Sequence, residues 1–243
     1  MNSSNSLING IILILMQNII YTKILLKPIK YLNLNSMFEK YTQFLKSSNA
    51  LGYLIFLEHN EVFTVGKFKY ETYKDSLNLN KIPLMVSERG GDITYHGPGQ
   101  IIFYPVLNIK KIMLKPKKLI DILENSLFKV LINHKLNAKK NLIGPGIWID
   151  DKKVGFIGLK FSKGISSHGM SINLDIDLNK YNNISPCGNN SIIVGNIKNF
   201  KKIKKNVLIN EFISIFFEEL INSINYPKKN EISLLADSTE SDP

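Results

Sequence analysis

Gly146-Ile147-Trp148-Ile149, then Val154 to Phe161, then Gly169 to Asp175 are three apolar, β-rich runs separated by short polar stretches. No helix-length segment lies between them, so they read as neighbouring strands of one sheet rather than as βαβ units. The turn joining the first two is placed at Asp150-Asp151-Lys152-Lys153. Upstream, Lys117 to Leu136 carries Leu119, Ile120, Leu123, Leu127, Val130 and Leu131 at i, i+3/i+4 spacing, which predicts the strongest helix. Before it, Ile101 to Leu107 and Leu84 to Ser87 read as strands. Tyr53 to Glu58 and Glu61 to Val65 read as two more, with His59-Asn60 as the turn. Ser36 to Ser47 is amphipathic, with Met37, Tyr41, Phe44 and Leu45 on one face, and downstream Val207 to Ile224 is a second long helix. Strands in groups with helices set apart predict an α+β fold, a mixed β-sheet flanked by helices.

The chain has 243 residues, 44% of them hydrophobic, enough for one domain with a sizeable core. That domain is expected over residues 19–228, between an N-terminal extension (1–18) and a disordered tail (229–243) whose end, from Ala236, is rich in Asp and Ser. The apolar run Ile11 to Met16 is too short for a membrane helix and has no basic flank of the signal-peptide kind. Met16 as the start of translation points to a cytoplasmic protein; a cleaved leader would instead place it in an organelle.

One cysteine excludes an internal disulfide and a cysteine-rich metal site, and His59, His96, His134 and His168 lack metal-ligand spacing. The net charge is +11, carried by thirty lysines and one arginine, Arg89. Arginine is the residue suited to phosphates and base edges, so this excess predicts no nucleic-acid partner. It reads first as a solvated surface and second as a field that steers acidic partners.

Four segments carry chemistry. Arg89-Gly90-Gly91-Asp92-Ile93-Thr94-Tyr95-His96-Gly97-Pro98-Gly99-Gln100 holds four glycines in twelve residues together with the only arginine. Such glycines let backbone approach a ligand, and a plain turn has no need of the interleaved Arg, Thr, Tyr and His. No Gly-Lys-Ser/Thr ending follows, so this is not a P-loop. Lys153-Val154-Gly155-Phe156-Ile157-Gly158 and His168-Gly169-Met170-Ser171-Ile172-Asn173 each open a strand and say little alone. Pro186-Cys187-Gly188 sets the lone thiol on an irregular loop, where binding and catalytic residues concentrate.

Taken in order, Arg-Gly-Gly-x-x-Thr-Tyr-His-Gly-Pro-Gly-Gln, Lys-x-x-x-x-Gly, His-Gly-x-x-x-Asn and Pro-Cys-Gly resemble the lipoyl(octanoyl) transferases, octanoyl-[acyl-carrier-protein]:protein N-octanoyltransferases. Leu57-Glu58-His59 and Val62-Phe63-Thr64 resemble that family's first strand pair, and the likeness runs from about Ile19 to Ile224. It implies the fold of the biotin/lipoate protein ligases and an octanoyl group moved from acyl carrier protein to a lysine of lipoyl domains. Those are the domains of 2-oxoacid dehydrogenase complexes and of the glycine cleavage H protein. Cys187 matches the acyl-thioester cysteine and Lys153 the lysine that activates it. Arg89, Gly90, Gly91, Asp92, Ile93, Thr94, Tyr95 and His96, with Phe156, Ile157, Gly158, Gly169, Met170 and Ser171, match the acyl-pocket segments. Gly155 and Ser171 depart from small residues usual there. The resemblance implies no metal and no cofactor, no membrane, and a monomer. An ATP-dependent lipoate or biotin ligase on the same fold is the alternative. It needs no nucleophilic cysteine.

The residue types suit the chemistry. A free thiol is only a few per cent ionised near neutral pH, and a neighbouring ammonium raises that fraction. The expected reaction is thiolate attack on the donor thioester and then attack by the acceptor amine, with Lys153 moving the proton.

Overall fold

The computed structural model describes residues 18–74, 82–140 and 143–237. Its elements are β1 (Ile19–Ile24), α1 (Leu34–Ser47), β2 (Gly52–Leu57), β3 (Val62–Gly66), β4 (Leu84–Ser87), β5 (Thr94–His96), β6 (Gln100–Leu107), α2 (Pro116–Asn133), β7 (Ala138–Lys140), β8 (Gly146–Ile149), β9 (Lys152–Ser162), β10 (Ile165–Asn173), β11 (Ile193–Val194), α3 (Lys205–Ser223) and β12 (Ser233–Ala236). Nine strands form one mixed sheet in the order β12-β1-β2-β6-β10-β9-β8-β7, with β11 added beside β9, while β4-β3-β5 form a second, small sheet. This is the α+β arrangement expected from the strand grouping. The run Ile11 to Met16 lies outside the described residues, and among these no helix is long and apolar enough to cross a membrane.

The large sheet is buried on both faces, and strand alternation divides its side chains between two cores. Leu54 and Phe56 of β2 and Phe103 of β6 pack with Leu119, Leu123 and Leu127 of α2 and Phe212 and Phe216 of α3. The intervening Tyr53, Ile55, Ile102, Tyr104 and Val106 face Met37, Phe38, Tyr41 and Leu45 of α1. The helical stripes seen in the sequence are therefore the buried faces. A third cluster, Phe63, Tyr95, Ile176 and Tyr181, backs the small sheet.

Three expectations change. His59-Asn60 is not a hairpin turn: β2 pairs with β1 and β6, whereas β3 pairs with β4 and β5 in the other sheet. Buried His59 instead anchors the crossing, with Nδ1 near Ile29 O (3.1 Å) and Nε2 near Tyr104 Oη (2.8 Å). The turn between β8 and β9 contains only Asp150 and Asp151, and Lys152 and Lys153 already belong to β9. Finally, residues 229–237 are ordered: β12 pairs in parallel with β1, Ile19 opposite Ser233 through Thr22 opposite Ala236. A local composition rich in Asp and Ser outweighed Ile232-Ser233-Leu234-Leu235, whose backbone groups complete the sheet edge.

A break in the central ladder prepares the site. Pro105 has no N–H to donate in β6, and regular pairing of β10 with β6 runs only from Asn173 to Met170. At Gly169 a Cβ would lie 2.1 Å from Phe103 O and 2.7 Å from Pro105 Cδ, so only glycine fits. His168 just before it takes a left-handed conformation (φ 58°), which sets its ring against Phe38 and Tyr104.

Candidate active site

Cys187 sits in a single 3-10 turn, Pro186–Gly188, between β10 and β11. Its backbone is left-handed (φ 58°), its N–H donates to Ile93 O (3.3 Å), and its side chain is exposed. Gly188 is also left-handed (φ 71°), and a Cβ there would meet the Asp92 carboxylate at 2.6 Å. The thiol loop is thus seated directly on the glycine-rich segment 89–96.

Lys153 approaches from below. It is only 2% exposed, and its Nζ lies 3.7 Å from Cys187 Sγ and donates to Pro145 O at 3.0 Å. The ammonium sits over the rings of Trp148 (4.7 Å) and Phe156 (5.1 Å), a setting that favours a desolvated cation. Gly146 makes room for it: a Cβ there would lie 2.5 Å from Lys153 Cε. Glu124, buried on α2, accepts the Gly146 N–H at 2.8 Å. Burial pulls the Lys153 pKa below the ordinary lysine value, while the charges of Cys187 and Glu124 push it back up. The result is an amine nearer to proton exchange at neutral pH than a surface lysine.

Beside the pair opens a pocket lined by Arg89 to Thr94, His96, Phe156 to Gly158, Gly169 to Ser171 and Cys187. Every sequence-expected pocket residue is on its wall except Tyr95. Strand alternation in β5 explains the exception: Thr94 and His96 face the pocket, and Tyr95 turns to the other side, where its Oη donates to Glu61 (2.8 Å) and its ring packs on Phe63 and Tyr181. Lys153 is not on the wall either; it reaches Sγ from behind. Residues not anticipated are Tyr31, Ile102, Tyr104 and His168, contributed by distant parts of the chain. His168 alone carried a signal, since it precedes the glycine that the broken ladder requires.

Arg89 crosses the pocket to the small sheet, where Nη2 donates to Thr64 O (2.8 Å) and Oγ1 (2.9 Å) and Nη1 to Gly90 O (3.1 Å). It therefore holds the glycine segment in place. Around it three histidines are buried: His59, His96, which bonds Gln100 Oε1 at 2.7 Å, and His168. Burial lowers His59 to about 4 and, with the Arg89 charge adding to the effect, His168 to about 3, so both rings are neutral at pH 7. The unfolded chain takes up these protons near pH 6.5 and the folded chain resists them, so acid favours unfolding. The melting temperature is expected to fall as pH drops from about 6.5 to about 4, and less so in His168→Gln. Thermal denaturation followed by circular dichroism measures this, and an unchanged slope in the variant contradicts it.

Among the described residues no group of three His, Cys, Asp or Glu side chains is placed to hold a metal.

Residues 31–221 match the family described as the lipoyl protein ligase A/B catalytic domain. The octanoyltransferase of Buchnera aphidicola subsp. Schizaphis graminum is 35% identical over 196 residues, covering 78% of this chain and 87% of that protein. That of Shewanella woodyi is 37% identical over 143 residues, covering 59% of this chain and 64% of that relative, just under two thirds of its length. The solved structure of lipoate-protein ligase A bound with ATP superposes with a TM-score of 0.65 at 17% identity, over 82% of this chain and 85% of that one. At that identity the likeness is one of fold. The family match spans most of the chain, including the small sheet, the central strands of the large one and the Cys187–Lys153 pair, and the chain therefore belongs to the lipoyl protein ligase A/B catalytic-domain family, among its octanoyltransferases.

Proposed function

We propose that this chain takes an octanoyl group from octanoyl-acyl carrier protein onto Cys187 and passes it to a lysine of lipoyl domains. The observation that carries this reading is the 3.7 Å approach of Lys153 Nζ to Cys187 Sγ at the edge of a pocket with an apolar wall. Lys153 Nζ stands beside the sulfur of the thiolate, which is the nucleophile. Its sulfur attacks the thioester carbonyl carbon, the carbon–sulfur bond to the carrier breaks, and the carrier thiol leaves with a proton supplied at Lys153 Nζ. Phe156, Ile157 and Met170 line the space for the alkyl chain.

In the second half, a neutral acceptor amine attacks the Cys187 thioester. An amide forms, the proton shed by the amine passes to Lys153, and the cysteine sulfur departs as thiolate. One thioester bond is exchanged for an amide, so the transfer is downhill without ATP. An ATP-dependent ligase reaction on this fold leaves Cys187 without a task. The bacterial relatives favour a cytoplasmic site of action, with 2-oxoacid dehydrogenase and glycine cleavage lipoyl domains as acceptors and the chain working as a monomer.

The test is intact mass. Incubated with octanoyl-acyl carrier protein and no ATP, the protein gains one octanoyl group, and it loses that group to an added lipoyl domain. Acceptor modification that requires ATP, with no acyl-enzyme at any time, contradicts the reading.

A further inference from the structure

A second concavity adjoins the acyl pocket. Its wall is formed by Gly66, Lys67, Phe68 and Lys69, by Ser87 to Gly91, and by Lys160. Arg89, Gly90 and Gly91 line both spaces, so the groove runs from the surface towards the pocket. Its outer lip has unusual chemistry. Phe68 is 98% exposed, the most exposed of the large apolar side chains among the described residues, and it stands between two exposed lysines. Among the described residues no carboxylate lies within ion-pair distance of Lys67 or Lys69, and the nearby acid Glu88 is paired with Lys160. The turn is fixed rather than trailing, because Gly66 abuts Gly91, whose carbonyl oxygen a Cβ at position 66 would meet at 2.5 Å.

We propose that this lip, Lys67, Phe68 and Lys69 with Lys160 opposite, is the docking surface for the acidic protein that delivers the acyl thioester. The proposal rests on the octanoyl-transfer reading above. A bare phenyl ring ringed by cations fits an acidic surface with one apolar contact, and the charges speed encounter. Of the two protein substrates, the donor fits a groove that shares Arg89, Gly90 and Gly91 with the acyl pocket but does not itself include Cys187. Its acyl group hangs on a long, phosphodiester-linked arm that can lie along the glycine backbone of 89–91 with its phosphate near the lysines. The acceptor offers only a lysine side chain and must dock closer to the thiol.

The experiment measures the rate at which Cys187 is acylated by two donors, in wild type, Phe68→Ala and the double variant Lys67→Glu/Lys69→Glu. One donor is octanoyl-acyl carrier protein. The other is the octanoyl thioester of N-acetylcysteamine, which has neither protein nor phosphate. With the carrier protein, kcat/KM is expected to fall about tenfold or more in the double variant, mainly through KM, and to lose most of its salt dependence. With the small thioester the rate stays within about twofold of wild type, and so does transfer from preloaded enzyme to a lipoyl domain. Equal losses with both donors, no loss with either, or a loss confined to the lipoyl-domain step each overturn the assignment. Wild type that neither donor acylates overturns the octanoyl-transfer reading itself, whereas wild type that loads normally beside unaffected variants overturns only the docking surface.

Discussion

Cys187→Ala is expected to abolish the acyl-enzyme: no octanoyl mass on the protein, and transfer to the acceptor lysine reduced by a factor on the order of 10⁶, the scale set by loss of the nucleophile in other acyl-transfer enzymes. No other thiol exists in the chain to replace it. The loss is chemical and not structural, because the side chain is exposed and the loop is held by Cys187 N–H to Ile93 O and Gly188 N–H to Ser185 O, bonds that an alanine keeps. The variant should therefore melt within a degree or two of wild type, since surface truncations change stability by only about 0.5 kcal/mol. Cys187→Ser sharpens the test, because it keeps the shape and offers a far poorer nucleophile. Acceptor modification by either variant at more than a few per cent of the wild-type rate defeats the covalent route.

Lys153→Ala has the second largest effect. Loss of a positioned acid–base group costs about 10²- to 10⁴-fold in rate, and here the same side chain also supplies the charge beside the thiol. Acylation by the variant should differ from wild type in its pH profile, because Lys153, whose pKa burial lowers, no longer exchanges a proton at the site. Lys153→Arg separates the two duties, because it keeps the cation but cannot release a proton near neutral pH. It is expected to slow both half-reactions while keeping the charge at the site, because neither the leaving carrier thiol nor the attacking amine can then exchange a proton there. The alanine variant should also be less stable, because the truncation leaves a cavity where the buried side chain packs over Trp148 and Phe156. If Lys153→Ala acylates at wild-type rate with an unchanged pH profile, the lysine has no part in the chemistry.

The fold and the site were legible to different depths. Helix faces follow a local period, so the stripes at Leu119–Leu131 and Met37–Leu45 identified α2 and α1 and their buried sides directly. Strand partners are not local. Nothing in Leu57 to Thr64 says that the two runs join different sheets, because pairing is decided by β6 and β5, tens of residues away. The glycine segments declared themselves through composition, and alternation within Thr94-Tyr95-His96 holds the information that Tyr95 faces away, once that stretch is recognised as a strand. Tyr31 and Tyr104 carried no signal, being aromatic residues in apolar surroundings that the fold brings to the pocket. Lys153 is one of thirty chemically identical side chains. Only its burial between Trp148 and Phe156 distinguishes it, and burial is a property of the folded chain; before folding, resemblance to a family was the only guide to it.

The two-residue strand β11 ties the halves of the site together. Val194 lies opposite Lys153, and Gly195 N–H donates to Lys153 O at 2.9 Å, so the loop that carries Cys187 is closed by the backbone of its partner. Two ladder positions are a weak clasp, and Ile193 is 53% exposed. Such a clasp opens by itself far more often than the whole sheet does, and amide hydrogen exchange registers openings of this kind. Each opening lets the thiol drift from its ammonium, while closure restores the pair without refolding the core. In the proposed reaction, activity is therefore expected to follow the stability of this small unit and, in rising denaturant, to fade before the sheet itself melts.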